Sequence, residues 1–183
     1  MIMMKRFLIT FLFVLMTITS IAQESNTIKF LGIPIDGAKK EMISKLQAKG
    51  YEYDASSDCL FGEFNGTDVI IFIHTVNNRV WRIGIVDANV NNDEANIKIR
   101  YNNLFKQLSN NGKYKVLDGR TLGEEENISY EMTVHKKRYD AGFTFKDKSI
   151  HGRVWYMITG EYGKYGIKMF YENLDNAANG DDL

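Results

Sequence analysis

The sequence predicts an α+β fold in which a helix is followed by an antiparallel β-meander, and this unit occurs twice. Three observations carry that expectation. Two stretches place apolar residues at helical spacing, and each is closed by a glycine, Gly50 and Gly112. Each stretch is followed by short β-rich runs separated by turn residues. The tripeptide Arg-Val-Trp recurs on a late strand of each half, at Arg79–Trp81 and at Arg153–Trp155. Glycine and tryptophan lie 31 residues apart in the first half (50 to 81) and 43 in the second (112 to 155), a difference that fits an insertion. The expected pseudo-repeats cover 28–88 and 89–172 and are followed by a polar, frayed tail at 173–183.

The chain opens on a leader. Lys5 and Arg6 precede an apolar run from Phe7 to Met16, and Ser20-Ile21-Ala22 places small residues where a signal peptidase reads them. Residues 1–22 are therefore expected to be a signal peptide cleaved before Gln23. The 15 residues from Phe7 to Ile21 include Thr10, Thr17, Thr19 and Ser20, against roughly 20 apolar residues needed for a membrane span. No cysteine stands near the cut to carry a lipid. The expectation is one exported domain at 23–183, periplasmic or secreted, with no stable membrane insertion after cleavage.

In the mature part, Ile33–Ile35 reads as an edge strand or plain extended chain, because Pro34 cannot donate to a ladder. Asp36 is the expected cap of a helix carrying Ala38, Met42, Ile43 and Leu46, closed by Gly50. Gly32 to Gly37 matches neither G-x-G-x-x-G nor G-x-x-x-x-G-K-[ST], so it starts a helix and cradles no phosphate. Strands at Cys59–Phe64, Val69–Val76 and Arg79–Val86 are joined by Asn65-Gly66 and Asn77-Asn78, both suited to tight hairpins. On the third strand, Trp81, Ile83 and Ile85 are expected to lie together under the first helix. A second helix over 92–110 presents Ile97, Tyr101, Leu104, Phe105 and Leu108. Further strands are expected at Lys113–Leu117, Ser129–Lys137, Ala141–Lys146, Arg153–Gly160 and Gly166–Glu172, with Asp118–Asn127 an exposed acidic loop.

Charge excludes some partners. Of 23 Lys and Arg, the leader removes Lys5 and Arg6, so 21 remain against 23 Asp and Glu in the 161 residues left after the first 22. Such a balance draws the chain to neither nucleic acid nor an anionic membrane. Cys59 is the only cysteine, so no internal disulfide can form, and in "DCLFGEF" it reads as a small buried residue. No catalytic, metal or cofactor motif is complete. Asp87, Asn89 and Asn91 match calcium-loop positions, but Asn92 stands where the turn glycine belongs and Lys98 where the bidentate glutamate belongs. From Asp175 the chain has too few residues for a second such loop. His74, His135 and His151 form no ligand pair, and no G-x-S-x-G occurs. "TGEYGKYG" reads as a hairpin turn.

Aromatics remain, and they crowd the second half. Trp155 and Tyr156 point to opposite faces of their strand. The sheet face opposite the helices is the expected recognition surface, with Tyr156, Tyr162 and Tyr165 as ligand-binding candidates. The function expected is a non-catalytic exported binding module for a protein or envelope ligand. The alternative is a hydrolase of glycan or peptide that uses two distant carboxylates.

The stretches "FLGIPIDGAKKEMISKLQAKGY", "FGEFNGTDVIIFIH" and "NAANGDDL" resemble a group of exported proteins of unknown function from gut Bacteroidetes. This resemblance implies source and compartment, and no activity. The doubled helix-and-sheet unit is also similar in outline to folds of the beta-lactamase-inhibitor-protein kind and to small outer-membrane assembly lipoproteins of the SmpA/OmlA kind. The lipobox cysteine of the latter is missing here, and no functional residue carries over.

Overall fold

A computed structural model describes residues 26–161 and 163–177. The expected signal peptide, Tyr162 and the end of the tail lie outside the described residues. The fold is α+β with antiparallel strands. A small hairpin, β1 (Lys29–Phe30) and β2 (Ile33–Pro34), leads into α1 (Lys39–Gln47) and then β3 (Glu52–Asp54), β4 (Cys59–Phe64), β5 (Thr67–Val76) and β6 (Arg79–Asp87). The second half has α2 (Glu94–Asn110), β7 (Tyr114–Asp118), α3 (Ile128–Val134), β8 (Asp140–Phe145), β9 (Gly152–Glu161) and β10 (Lys164–Asn173). β3 to β10 form one eight-stranded sheet in the order β3-β4-β5-β6-β10-β9-β8-β7. Each half thus opens on a helix that leads into four antiparallel strands, the second half with α3 inserted between β7 and β8, and the two meet along their last strands, β6 and β10. The Arg-Val-Trp tripeptides do not mark equivalent strands, since one starts the fourth strand of its half and the other lies in the third.

The hairpins form where the turn residues tolerate left-handed backbone. Asn65 and Gly66 have φ of 52° and 75°, and Asn77 and Asn78 have 50° and 62°, the signs that a two-residue hairpin with the twist of its strands demands. Gly50, at φ 95°, closes α1 as expected. The start of α1 differs from expectation. Ala38 is the cap residue and makes no side-chain cap bond. Asp36 instead accepts from Gly37 N, Arg79 and Asn176 Nδ2, tying the helix entry to β6 and the tail. That tail does not fray where it is described: Asn173 is buried and donates to Ile35 O, and Asn176 also donates to Val80 O.

Ser129–Lys137 is not a strand. Asn127 caps α3 by accepting from Tyr130 N, and Glu94 at the start of α2 accepts from Ile128 N and Ser129 N. The distant carboxylate takes up donors that a helix start leaves open, so the local β preference of Ile128 to Val134 is overridden.

The core lies between the helices and one face of the sheet. Along that face, paired residues run Leu60, Ile71, Ile85, Met169, Tyr156 and Ala141 across β4, β5, β6, β10, β9 and β8, and all are buried. From above, α1 contributes Met42 and Leu46, and α2 contributes Ile97, Tyr101, Leu104 and Leu108. Tyr156 packs edge-on against Tyr101 at 4.9 Å and donates to its carbonyl at 2.9 Å. Burial pushes the phenols of Tyr101 and Tyr156 far above their usual range. Tyr156→Ala is expected to cost about 3–5 kcal/mol, as for other large core truncations. The half-exposed Trp81 should cost about 1 kcal/mol when truncated. Urea unfolding of the two variants checks the difference.

Candidate functional site

Alternation along a strand gives the sheet a second face, turned away from α1 and α2. It is built in three rows. Ile70, Val86, Lys168 and Met157 pair across the first, with Phe61 at its edge. Phe72, Gly84, Phe170, Trp155 and Gly142 pair across the second. His74, Arg82, Glu172, Arg153 and Thr144 pair across the third. An apolar strip therefore grades into an aromatic one and then into a charged one.

Trp81 joins this face rather than the core. The register slips between His74 and Thr75, leaving Trp81 without a partner opposite. Such a bulge puts two consecutive side chains on one side. The guanidinium of Arg82 accordingly stacks on the Trp81 ring at 4.0 Å, and it also lies 5.4 Å from the Phe170 ring. Ile83 and Ile85 keep their expected place under the helices. Trp155 stacks on Phe170 at 4.3 Å with ring planes 21° apart.

Glu172 holds these groups together. Its side chain is 0 % exposed, although it belongs to the face without helices. Arg82 Nη2 meets one carboxylate oxygen at 2.6 Å, and Trp155 Nε1 donates to that oxygen at 2.9 Å. Arg153 Nε donates to the other oxygen. A buried carboxylate is tolerated only when charge and hydrogen bonds compensate its lost hydration, and here three donors from two strands do so. Those bonds fix the rotamers of Arg82, Arg153 and Trp155. Arg153 is still 45 % exposed at its side chain, so its outer donors reach solvent. The cluster carries two guanidiniums and one carboxylate. His74 adds no charge at neutral pH, because desolvation and then the Arg82 charge lower its pKa.

Tyr156 and Tyr165 do not belong to this surface. They are 0 % and 1 % exposed and lie in the core, so neither can meet a ligand there. Tyr162 lies outside the described residues. Sequence reasoning missed Trp81, Arg82, Trp155, Phe170 and Glu172 as a group. The signal that points to them is Arg-Val-Trp itself: Val80 and Val154 are buried, while Trp81 and Trp155 face outward on neighbouring parts of one surface.

Other polar groups are accounted for singly. Asp87 is buried, accepts from Ile167 N at 2.8 Å and pairs with Arg100 at 2.6 Å, and desolvation raises its pKa. Cys59 is buried beside Ser57 Oγ at 3.0 Å. His135 and His151 pair with Glu131 and Asp175. Among the described residues no group of His, Cys, Asp and Glu is placed to hold a metal ion, and no helix is long and apolar enough to cross a membrane. The chain matches no protein-family model, no curated protein and no solved structure.

Removing the Glu172 carboxylate strands two guanidiniums and an indole N–H. Glu172→Ala is expected to destabilise the fold by about 3–5 kcal/mol, and Glu172→Gln, which keeps an acceptor, by about half as much. Denaturant midpoints of both variants check this order.

Proposed function

We propose that this chain is an exported, non-catalytic binding module that engages a protein or envelope ligand through the helix-free face of its sheet. The observation that carries the reading is the preorganised cluster of Trp81, Arg82, Arg153, Trp155 and Phe170 around the buried Glu172. Tryptophan and arginine dominate binding hot spots, because they combine large apolar area with directed donors. Rotamers fixed before contact spare the ordering cost of association. Export rests on the basic, apolar and small-residue pattern of residues 1–22. The two carboxylates buried among the described residues are each engaged by arginine, Asp87 by Arg100 and Glu172 by Arg82 and Arg153. This supports binding over acid–base chemistry.

Photo-crosslinking in intact cells tests the assignment. A crosslinking residue at Met157 or Thr159, on the aromatic side, is expected to capture a partner that the same residue at Ser44 on α1 does not. Trp81→Ala should then weaken that capture by about thirtyfold, the effect of losing a hot spot worth about 2 kcal/mol. Identical capture from both sides of the sheet would refute the surface assignment.

A further inference from the structure

A cavity of about 340 Å³ opens on the helix side of the sheet, between α2, the β1–β2 hairpin and the turn that joins β4 to β5. Its size falls within the roughly 300–1,000 Å³ of small-ligand pockets. Phe64, Leu104, Leu108 and Met169 form its apolar walls, and Leu31, exposed at the tip of the hairpin, adds to its rim. Asn65 Nδ2 donates to Gln107 Oε1 at 3.3 Å and joins the turn to α2 along one border. Among the described residues no charged side chain faces this space. Glu63 is the one charged residue of the lining, and strand alternation turns its side chain to the other side of the sheet, while its carbonyl accepts from the Tyr51 hydroxyl at 2.9 Å.

Two phenols are left open there. Tyr114 of β7 and Tyr171 of β10 both line the cavity, and each is only 9 % exposed. Alternation puts both on the core face: Tyr171 pairs with the buried Ile83 and Val154, and Tyr114 pairs with Phe145. Among the described residues neither hydroxyl has a hydrogen-bond partner. Polar groups so deeply buried are ordinarily satisfied. Burial raises the pKa of both phenols, and the nearby Tyr114 raises that of Tyr171 further, so both keep their protons and remain donors at neutral pH.

We infer that this cavity binds a small uncharged molecule with an apolar body and a carbonyl end, the body against Leu104, Leu108 and Met169 and the carbonyl directed at the Tyr114 and Tyr171 hydroxyls. Apolar walls with a few placed polar groups that fix orientation are the composition such a ligand requires. A carboxylate would find no cation here to offset its lost hydration. The cavity lies on the opposite side of the sheet from the aromatic face, and neither assignment depends on the other.

Uptake of the fluorescent naphthyl ketone prodan by the purified protein, read by its emission shift, tests the inference. Acetylnaphthalene is expected to displace the probe at least about tenfold more effectively than ethylnaphthalene, which has the same body without the acceptor, or naphthoate, which is charged. Tyr114→Phe combined with Tyr171→Phe should weaken prodan binding at least about tenfold and leave ethylnaphthalene binding as it is. The thermal midpoint should not change, since neither hydroxyl bonds to the rest of the protein. Gln107→Trp, at an exposed position of α2 on the cavity border, should block the probe. Failure of the wild type to take up prodan, equal displacement by ethylnaphthalene or naphthoate, or undiminished uptake by the Gln107→Trp protein would each overturn it. So would a doubly substituted protein that binds prodan unchanged, or that loses ethylnaphthalene to the same degree.

Discussion

The pairing of β6 with β10 is the constraint on which the molecule depends. Among the described residues it is the only ladder between the two meanders, running from Arg82–Glu172 to Val86–Lys168. A buried acid pins each end of this seam from opposite faces. On the helix side, Asp87 of β6 accepts from Ile167 N of β10 and pairs with Arg100 of α2. On the other side, Glu172 of β10 pairs with Arg82 of β6 and binds Arg153 and Trp155 of β9. Gly166 is part of the first arrangement, since a Cβ there would come within 3.2 Å of the Asp87 side chain. A carboxylate buried away from its arginine costs several kcal/mol, so sliding the seam by one residue would strand both acids and turn the core row outward.

From that seam the two faces acquire different tasks. The helix side is filled by Ile, Leu and Tyr in mutual contact and supplies most of the hydrophobic stabilisation, at roughly 1.5–3 kcal/mol for each large side chain fully buried. The opposite side spends its aromatic area differently. Trp155 and Phe170 stack on each other and Arg82 lies over Trp81 and beside Phe170, so the three rings are half-buried in a surface with guanidinium groups along one border. Strand alternation thus separates the face that carries the stability from the face proposed for recognition, and Glu172 links them because the carboxylate that orients the arginines also clamps β9 to β6 through β10.

Much of this architecture was legible in the sequence. Asn65-Gly66 and Asn77-Asn78 declared their hairpins through the backbone signs they allow, and the stripe from Ile97 to Leu108 declared α2 through its period. What was not legible depends on distant partners. β3 has three residues and takes its identity from pairing with β4. α3 takes its start from Glu94, more than thirty positions upstream. The side of the sheet that the helices cover cannot be read from alternation when both sides are apolar. Tyr156 and Trp155 are therefore equally eligible in sequence, and packing assigns Tyr156 to Tyr101 and leaves Trp155 outside. The bulge that turns Trp81 outward has no local signature either, because it arises from the register between β5 and β6.

Native-state hydrogen exchange followed by mass spectrometry or NMR tests the role of the seam most directly. If β6 and β10 bind the halves into one cooperative unit, the amides of Ile83 to Val86 and Lys168 to Tyr171 should exchange only through global unfolding, with the same denaturant dependence in both strands. Opening of either half at a distinctly lower free energy, with the seam amides of the two strands exchanging independently, would contradict the account.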